Sequence, residues 1–298
     1  MNTLILKLGA TGDVVRTTPF LRHLDGDIVW ITADKNVPLL DGICDRLQCF
    51  SWENRNLAPK ITYDLIINLE DTLDVGQFAQ SLKSKQTFGA RLEGDLLRYT
   101  EDARAWFDLS LISRFGRQKA DQLKLENRKT YQELVFAGLG WKFTNDDTYL
   151  LPRGTDTDLA GDVAIAAAAG PVWPMKNWAF YRELQQVLEK RGLKVNVLPK
   201  RPTLLEHLAD VRNHRCLVGG DSLPMHFALG SQRRCVSIFN CTSPWEIYEY
   251  GLQTKLISPL LEEFFYKRSF DARATTAISL DEVLSATLAQ IESGVACK

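Results

Sequence analysis

The stretch from Arg215 to Phe239, RCLVGGDSLPMHFALGSQRRCVSIF, constrains the fold more than any other part of the chain. Its short apolar run Cys216-Leu217-Val218 stops at Gly219-Gly220, the pattern of a buried strand that ends in a sharp turn. Asp221 or Ser222 then supplies a helix N-cap, Pro224 suits a first helical turn, and Met225, Phe227 and Ala228 follow at helical spacing. Cys235 to Phe239 reads as the next strand. Strand, tight turn, helix and strand in that order is a βαβ unit of a parallel sheet. The helix start presents backbone N–H groups without intrahelical acceptors at the positive end of a dipole, which suits a phosphate. His226 lies one turn into the same helix, facing whatever the turn holds.

The chain opens in a related way. An apolar run from Thr3 to Leu8 ends in Gly9-Ala10-Thr11-Gly12-Asp13, and Val14, Val15, Thr18 and Leu21 then repeat at helical spacing, with Pro19 kinking the helix. Asp13 is placed to cap that helix. The loop lacks the G-x-G-x-x-G spacing that lets backbone approach a dinucleotide pyrophosphate, and only Asp34 stands near the end of the second strand, which argues against a Rossmann dehydrogenase. Ile28 to Thr32 and Asp64 to Leu69 read as further strands, with a helix near Val37 to Ile43 between them. Glu70 and Asp71 end the later strand, where an open α/β sheet presents its ligand loops. The basic residues between Lys83 and Lys119 are offset by Glu93, Asp95, Glu101, Asp102 and Asp108, as on a solvated surface. One helix is expected from Lys119 to Gly138 or Gly140.

Val163 to Ala169 starts a second series of alternating elements. A Gly-Pro loop carrying Lys176 follows, then a helix with Trp178, Tyr181, Leu184 and Leu188 on one face. Leu193 to Leu198 is the next strand and Leu204 to Val211 the next helix. Ser279-Leu280-Asp281-Glu282 forms a capping box that opens a terminal helix. Between the two series, Asn145 to Asp162 is polar and contains Pro152 and Gly154, as an interdomain linker does. Asp156-Thr157-Asp158 is formally a D-x-D metal motif, but no apolar strand runs into it; it reads as linker, and no metal is expected.

With 36 Lys plus Arg against 37 Asp plus Glu, the balance is neutral and argues against a nucleic-acid binder. The six cysteines, at 44, 49, 216, 235, 241 and 297, show no metal-like spacing and fit a reduced, cytosolic chain. The first residues read as no signal peptide and no apolar run reaches spanning length, so any membrane contact is expected to be peripheral.

Three segments, in order, resemble the landmarks of the family 9 glycosyltransferases, the ADP-heptose lipopolysaccharide heptosyltransferases. They are LKLGATGDVVRTTPFLRHL at Leu6 to Leu24, the loop and helix start around Lys176-Asn177-Trp178, and DSLPMHFA with VSIFNCTSP beyond it. Leu223 stands where the family commonly has Gly, and Ala179 where it commonly has Pro. The resemblance implies a GT-B arrangement, two doubly wound Rossmann-like domains facing across a cleft, over residues 1–153 and 154–298, with the terminal helix packing back on the first domain. It implies an inverting, metal-independent glycosyltransferase that needs no cofactor and moves a sugar from a nucleotide-diphosphate donor, by family ADP-heptose, to a glycan or glycolipid acceptor such as lipopolysaccharide core. Asp13 takes the role of general base on this reading, Gly12, Thr11, Glu70 and Asp71 lie on the acceptor side, and Lys176, Asp221, Ser222, Leu223, Pro224, Met225, His226, Thr242 and Ser243 hold the donor. The glutamate that holds the donor ribose in the family has no clear counterpart; Glu206 is nearest. Two rivals belong to other classes: a nucleotide-sugar-binding protein without transfer activity, and a sugar-nucleotide epimerase.

Overall fold

A computed structural model describes residues 1–170 and 172–293; Pro171 of the Gly-Pro loop and Cys297 lie outside the described residues. The chain divides into two compact units, Met1–Pro152 and Arg153–Lys298.

The first unit is built on β1 (Thr3–Leu6), β2 (Ile28–Thr32), β3 (Leu47–Ser51), β4 (Thr62–Asn68), β5 (Lys83–Glu93) and β6 (Leu96–Tyr99). They form one sheet in the order β3-β2-β1-β4-β5-β6, parallel except for β6. Both faces of its centre are covered. Leu4, Leu6, Val29, Ile31 and Ile66 pack on one side, and Ile5, Ile28, Trp30, Leu65 and Ile67 on the other. The alternation follows from side chains pointing to opposite faces of a strand, and burial on both faces explains why these strands read as continuous apolar runs.

Several sequence expectations are corrected here. The charged stretch from Lys83 is exposed on its outer residues, as a solvated surface, but it is also an element the sequence reading did not give: the edge hairpin β5–β6, turning at Gly94, whose Phe88, Gly89 and Ala90 are buried. The long helix expected from Lys119 is two, Arg117–Glu126 and Tyr131–Gly138, because Thr130 and Glu133 form a capping box that starts the second. The helix expected near Val37 to Ile43 is shorter, Val37–Leu40, after a 3-10 turn at Asp34–Asn36.

The second unit holds β7 (Gly161–Ala166), β8 (Val195–Val197), β9 (His214–Gly220), β10 (Arg234–Phe239) and β11 (Gln253–Ile257), all parallel, in the order β11-β10-β9-β7-β8. Val163, Ile165, Cys216, Val218, Val236 and Ile238 face the helix Tyr181–Lys190 and the terminal helix Leu280–Ser293, whose Val283, Leu284 and Ile291 join the same core. The Ser279–Glu282 capping box forms as the sequence indicates. No helix among the described residues is long and apolar enough to cross a membrane.

In each sheet the strand order reverses once, between β1 and β4 in the first unit and between β7 and β9 in the second. At such a reversal the connections leave in opposite directions and open a crevice beyond the carboxyl ends of the two strands, the usual ligand position in open α/β sheets.

Gly89 fixes one wall of the first crevice. It has φ of +98°, and a Cβ there would lie 2.0 Å from the Asn68 carbonyl oxygen. Asn68 donates from Nδ2 to the Ala90 carbonyl at 2.9 Å and accepts from the Glu70 N–H at 3.1 Å, so the strand pairing sets the course of the chain into Glu70. Gly89→Ala is expected to destabilise the protein by about 2 kcal/mol or more, read as a lower urea midpoint with unchanged slope. A shift within error would show that β5 relaxes around the new methyl.

Candidate functional site

The first unit's crevice holds a buried charge cluster. Lys7 leaves the end of β1 and donates from Nζ to Glu70 Oε1 at 2.8 Å, while Asp13 Oδ2 lies 3.9 Å from the same nitrogen. Glu70 Oε1 also accepts the N–H groups of Leu8 at 2.8 Å and Gly9 at 3.1 Å. Burial alone pushes the Lys7 ammonium toward deprotonation, but the Glu70 and Asp13 carboxylates outweigh it and the net shift is upward. Asp71 is held above the ordinary carboxyl range, by burial first, with Lys7 opposing and the charges of Glu70 and Asp13 adding.

Asp13 does not cap its helix. Ala10 is the cap residue, in the left-handed region at φ of +32°, and the helix is Thr11–Thr17. Asp13 is therefore the third residue of the first turn, where a carboxylate meets the positive end of the helix dipole. Its Oδ1 is 3.0 Å from the Arg16 guanidinium, and its side chain keeps 32% exposure where Arg16 and Lys7 keep 8% and 12%. Arg16 is sandwiched by the rings of Tyr131 at 4.3 Å and Trp106 at 5.3 Å. Thr17 donates to the Asp13 carbonyl and meets the Tyr131 hydroxyl at 2.8 Å. Asp13 thus keeps access to solvent on a fixed backbone, whereas Glu70 is buried. Thr11 is tied down through Oγ1 to Asn36 Oδ1 at 2.8 Å, and Gly12 forms the same first turn.

In the second crevice Lys176 plays the corresponding part. It closes the 3-10 turn Pro174–Lys176 beyond β7, and its Nζ donates to Asp221 Oδ2 at 2.9 Å and to the Asp221 carbonyl at 2.7 Å. The turn lies directly on the end of β9: a Cβ on Gly220 would meet the Lys176 carbonyl oxygen at 2.9 Å. Burial tends to raise the Asp221 carboxyl, but Lys176 overrides it, His226 and Thr242 add in the same direction, and the group is held at about 2.

Ser222 is the N-cap residue of the helix Leu223–Gly230, yet its hydroxyl donates to the Gly220 carbonyl at 3.3 Å rather than capping. Pro224 has no N–H and Met225 donates to the Ser222 carbonyl at 3.0 Å, which narrows the helix-start donors expected over Leu223 to Met225 to Leu223. Met225 and Pro224 are buried as core. His226 is 5% exposed and close enough to Asp221 to bias it. Thr242 and Ser243 are buried in the loop after β10, and Asn240 of that loop donates to the Met175 carbonyl at 3.0 Å, joining it to the Lys176 turn.

Two further residues singled out in the sequence have local roles or exposure. Glu206 is engaged by the capping box of the helix Leu204–Arg212 with Thr203. Asp158 is 98% exposed in the linker, and no cluster of metal-ligating side chains occurs among the described residues. Sequence reasoning missed Lys7, Arg16 and Tyr131. Lys7 had a signal, a cation set near the end of an otherwise apolar strand run; Tyr131 had none, since its partner Thr17 lies 114 residues away.

No protein-family model matches the chain, and no curated protein matches it by sequence. Solved structures do match it. E. coli heptosyltransferase WaaC with ADP shares 14% identity over 99% of this chain and 100% of that one, with a TM-score of 0.62. A glycosyl transferase family 9 protein from Veillonella parvula shares 15% over 98% and 97%, also at 0.62. E. coli ADP-heptose lps heptosyltransferase II shares 14% over 98% and 99%, at 0.61. At these identities the fold is what is shared, and it is the GT-B fold of two doubly wound α/β units that the sequence resemblance implies.

The Lys176–Asp221 pair gives a pH test. The Asp221 carboxyl lies at about 2 in the folded chain against roughly 3.9 unfolded, so its ionised form stabilises the fold above about pH 4 and that contribution disappears as pH falls toward 2. Lys176→Met is expected to cost about 2 kcal/mol or more at neutral pH, with the difference from wild type narrowing below about pH 3 in urea unfolding. A difference that does not change with pH would show that the pair contributes no linked stability.

Proposed function

We propose that the protein is an inverting glycosyltransferase that takes a nucleotide-diphosphate sugar as donor, with ADP-heptose the favoured donor and a glycan or glycolipid hydroxyl as acceptor. The observation that carries this reading is the Lys176 ammonium at the end of β7 and β9, beside the start of the helix Leu223–Gly230. An ammonium and a helix N-terminus at a topological switch point suit a diphosphate, and both act on the charge that grows on it as the glycosidic bond breaks. Asp221 holds Lys176 in place through two hydrogen bonds. The buried Ser243 hydroxyl and Asn240 side-chain oxygen Oδ1 have no hydrogen-bond partner among the described residues, and a bound donor is one source of partners for them. That two of the structures sharing the fold are named as heptosyltransferases supports the donor class.

On the first unit, Asp13 serves as general base. It removes the acceptor hydroxyl's proton while that oxygen attacks the anomeric carbon, the bond from that carbon to the donor phosphate breaks, and the nucleoside diphosphate leaves with the electron pair. A single displacement inverts the anomeric centre. Lys176 and the helix start balance the leaving charge without a divalent ion, so transfer is expected to proceed in the presence of a chelator.

Calorimetric titration with ADP, UDP and GDP, with and without magnesium, tests the donor half. Selective, metal-independent ADP binding that is lost in Lys176→Ala is the expected result; preference for UDP or GDP would overturn the ADP assignment, and absence of nucleotide binding would overturn the transferase. Asp13→Asn is expected to lower transfer by about 10²-fold or more while donor affinity stays within about twofold. Retained turnover would remove Asp13 as the base.

A further inference from the structure

The charge cluster of the first unit poses a problem that the fold solves with Glu70. A base must keep a carboxylate free to accept a proton, yet Asp13 faces two cations. Arg16 approaches Oδ1 at 3.0 Å, and Lys7 lies 3.9 Å from Oδ2. With both fully engaged on Asp13, the carboxylate would be the counter-ion of a buried double positive charge and a poor base. The two approaches are unequal. Lys7 is 2.8 Å from Glu70 and more than an ångström farther from Asp13, so its direct hydrogen bond goes to Glu70.

We propose that Glu70 is a positioning residue for Asp13: it takes Lys7 into its own ion pair and ties down the Leu8–Gly9 backbone, which leaves the Asp13 carboxylate aligned and available as a base. This rests on Asp13 acting as the base of the transfer.

Three features of Glu70 fit this role better than contact with an acceptor. It is 8% exposed, a poor position from which to meet a substrate. One oxygen, Oε1, collects the Lys7 ammonium and the N–H groups of Leu8 and Gly9, the residues that lead into the loop carrying Asp13. Its own N–H is held by Asn68, whose Nδ2 is bound to Ala90, so the carboxylate is placed by the strand pairing rather than by a free loop. Among the interactions described, the other charged and titratable groups at the cluster are Arg16 on the helix of Asp13, Asp71 next to Glu70, and Tyr131 on the helix Tyr131–Gly138. They remain in place in every variant below, so differences report on Lys7 and Glu70.

The test is a charge cycle read on Asp13 itself. The full-length protein is made with carboxyl-labelled aspartate, the Asp13 resonance is assigned by its loss in Asp13→Asn, and its midpoint is followed by NMR against pH. On this proposal the Lys7 and Glu70 charges largely cancel at Asp13 in wild type. Glu70→Gln keeps an acceptor for the loop N–H groups but leaves Lys7 uncompensated, and the midpoint is expected to fall by about one unit. Lys7→Met leaves Glu70 uncompensated, and the midpoint is expected to rise by a similar amount. The double variant is expected to return close to wild type. The acid limb of kcat/KM for transfer should move with the midpoint in each variant, which a merely structural contribution of Glu70 would not produce.

Unchanged midpoints in both single variants would overturn the proposal, as would shifts of the same sign. Should Glu70→Gln fail to fold, Lys7→Met still decides, since a midpoint that does not rise contradicts the charge balance. The proposed transfer fails separately: full activity in Asp13→Asn would remove the base, whatever the titrations show.

Discussion

An ammonium held by a carboxylate across the point where strand order reverses is the interaction on which both units depend. In the first unit it joins Lys7, at the end of β1, to Glu70, beyond β4; in the second it joins Lys176, beyond β7, to Asp221, beyond β9. In both cases the pair bridges the two strands between which the connections diverge. That is the position in an open parallel sheet with the fewest side chains to fill it. A lysine pulled out of water there needs a partner, because a lone buried ammonium costs several kcal/mol or gives up its proton. The pairing keeps each crevice polar and charged instead of letting apolar side chains close it.

The two pairs differ in how they are finished, and the difference matches the roles proposed for them. In the first unit one Glu70 oxygen takes three donors, and the pair is part of the wall. In the second, the Lys176 ammonium is shared between the carboxylate and the carbonyl of one residue, at the start of a helix whose first N–H has no intrahelical acceptor. An ammonium with three donors and two protein contacts keeps capacity for a further acceptor, such as a phosphate oxygen. Gly220 is what permits this arrangement, since any side chain there would push the Lys176 turn off the end of β9.

The second unit was more legible in sequence than the first, for a physical reason. Its strand, glycine turn and helix are contiguous, so Val218, Gly219, Gly220, Asp221 and Pro224 announce the turn within a few residues. The helix Tyr181–Lys190 carried its periodicity locally as well, and Leu204–Arg212 its Thr203–Glu206 capping box. The first unit's site is assembled from Lys7, Asp13, Arg16, Glu70 and Tyr131, and only the first three are near in sequence. The β5–β6 hairpin was hidden because an edge strand carries charge on its exposed residues, which makes it resemble a solvated loop. The cap at Ala10 was misplaced onto Asp13 because propensity favours Asp there; the chain instead puts Ala10 at φ of +32° and moves Asp13 into the first turn.

That displacement has a consequence for the site. As an N-cap, Asp13 would turn its carboxylate back onto the helix N–H groups, and the acid would be consumed in holding its own helix together. At the third position the carboxylate is set by Arg16, one turn ahead, and Arg16 is set by its aromatic neighbours Tyr131 and Trp106. Holding a non-glycine residue in the left-handed region costs about 1 kcal/mol or more, and Thr11, bound to Asn36, and Lys7, bound to Glu70, anchor the loop on either side of it. The strain at Ala10, the paired lysine and the sandwiched arginine therefore serve one end. They keep the partly exposed Asp13 carboxylate in fixed geometry beyond the end of the sheet.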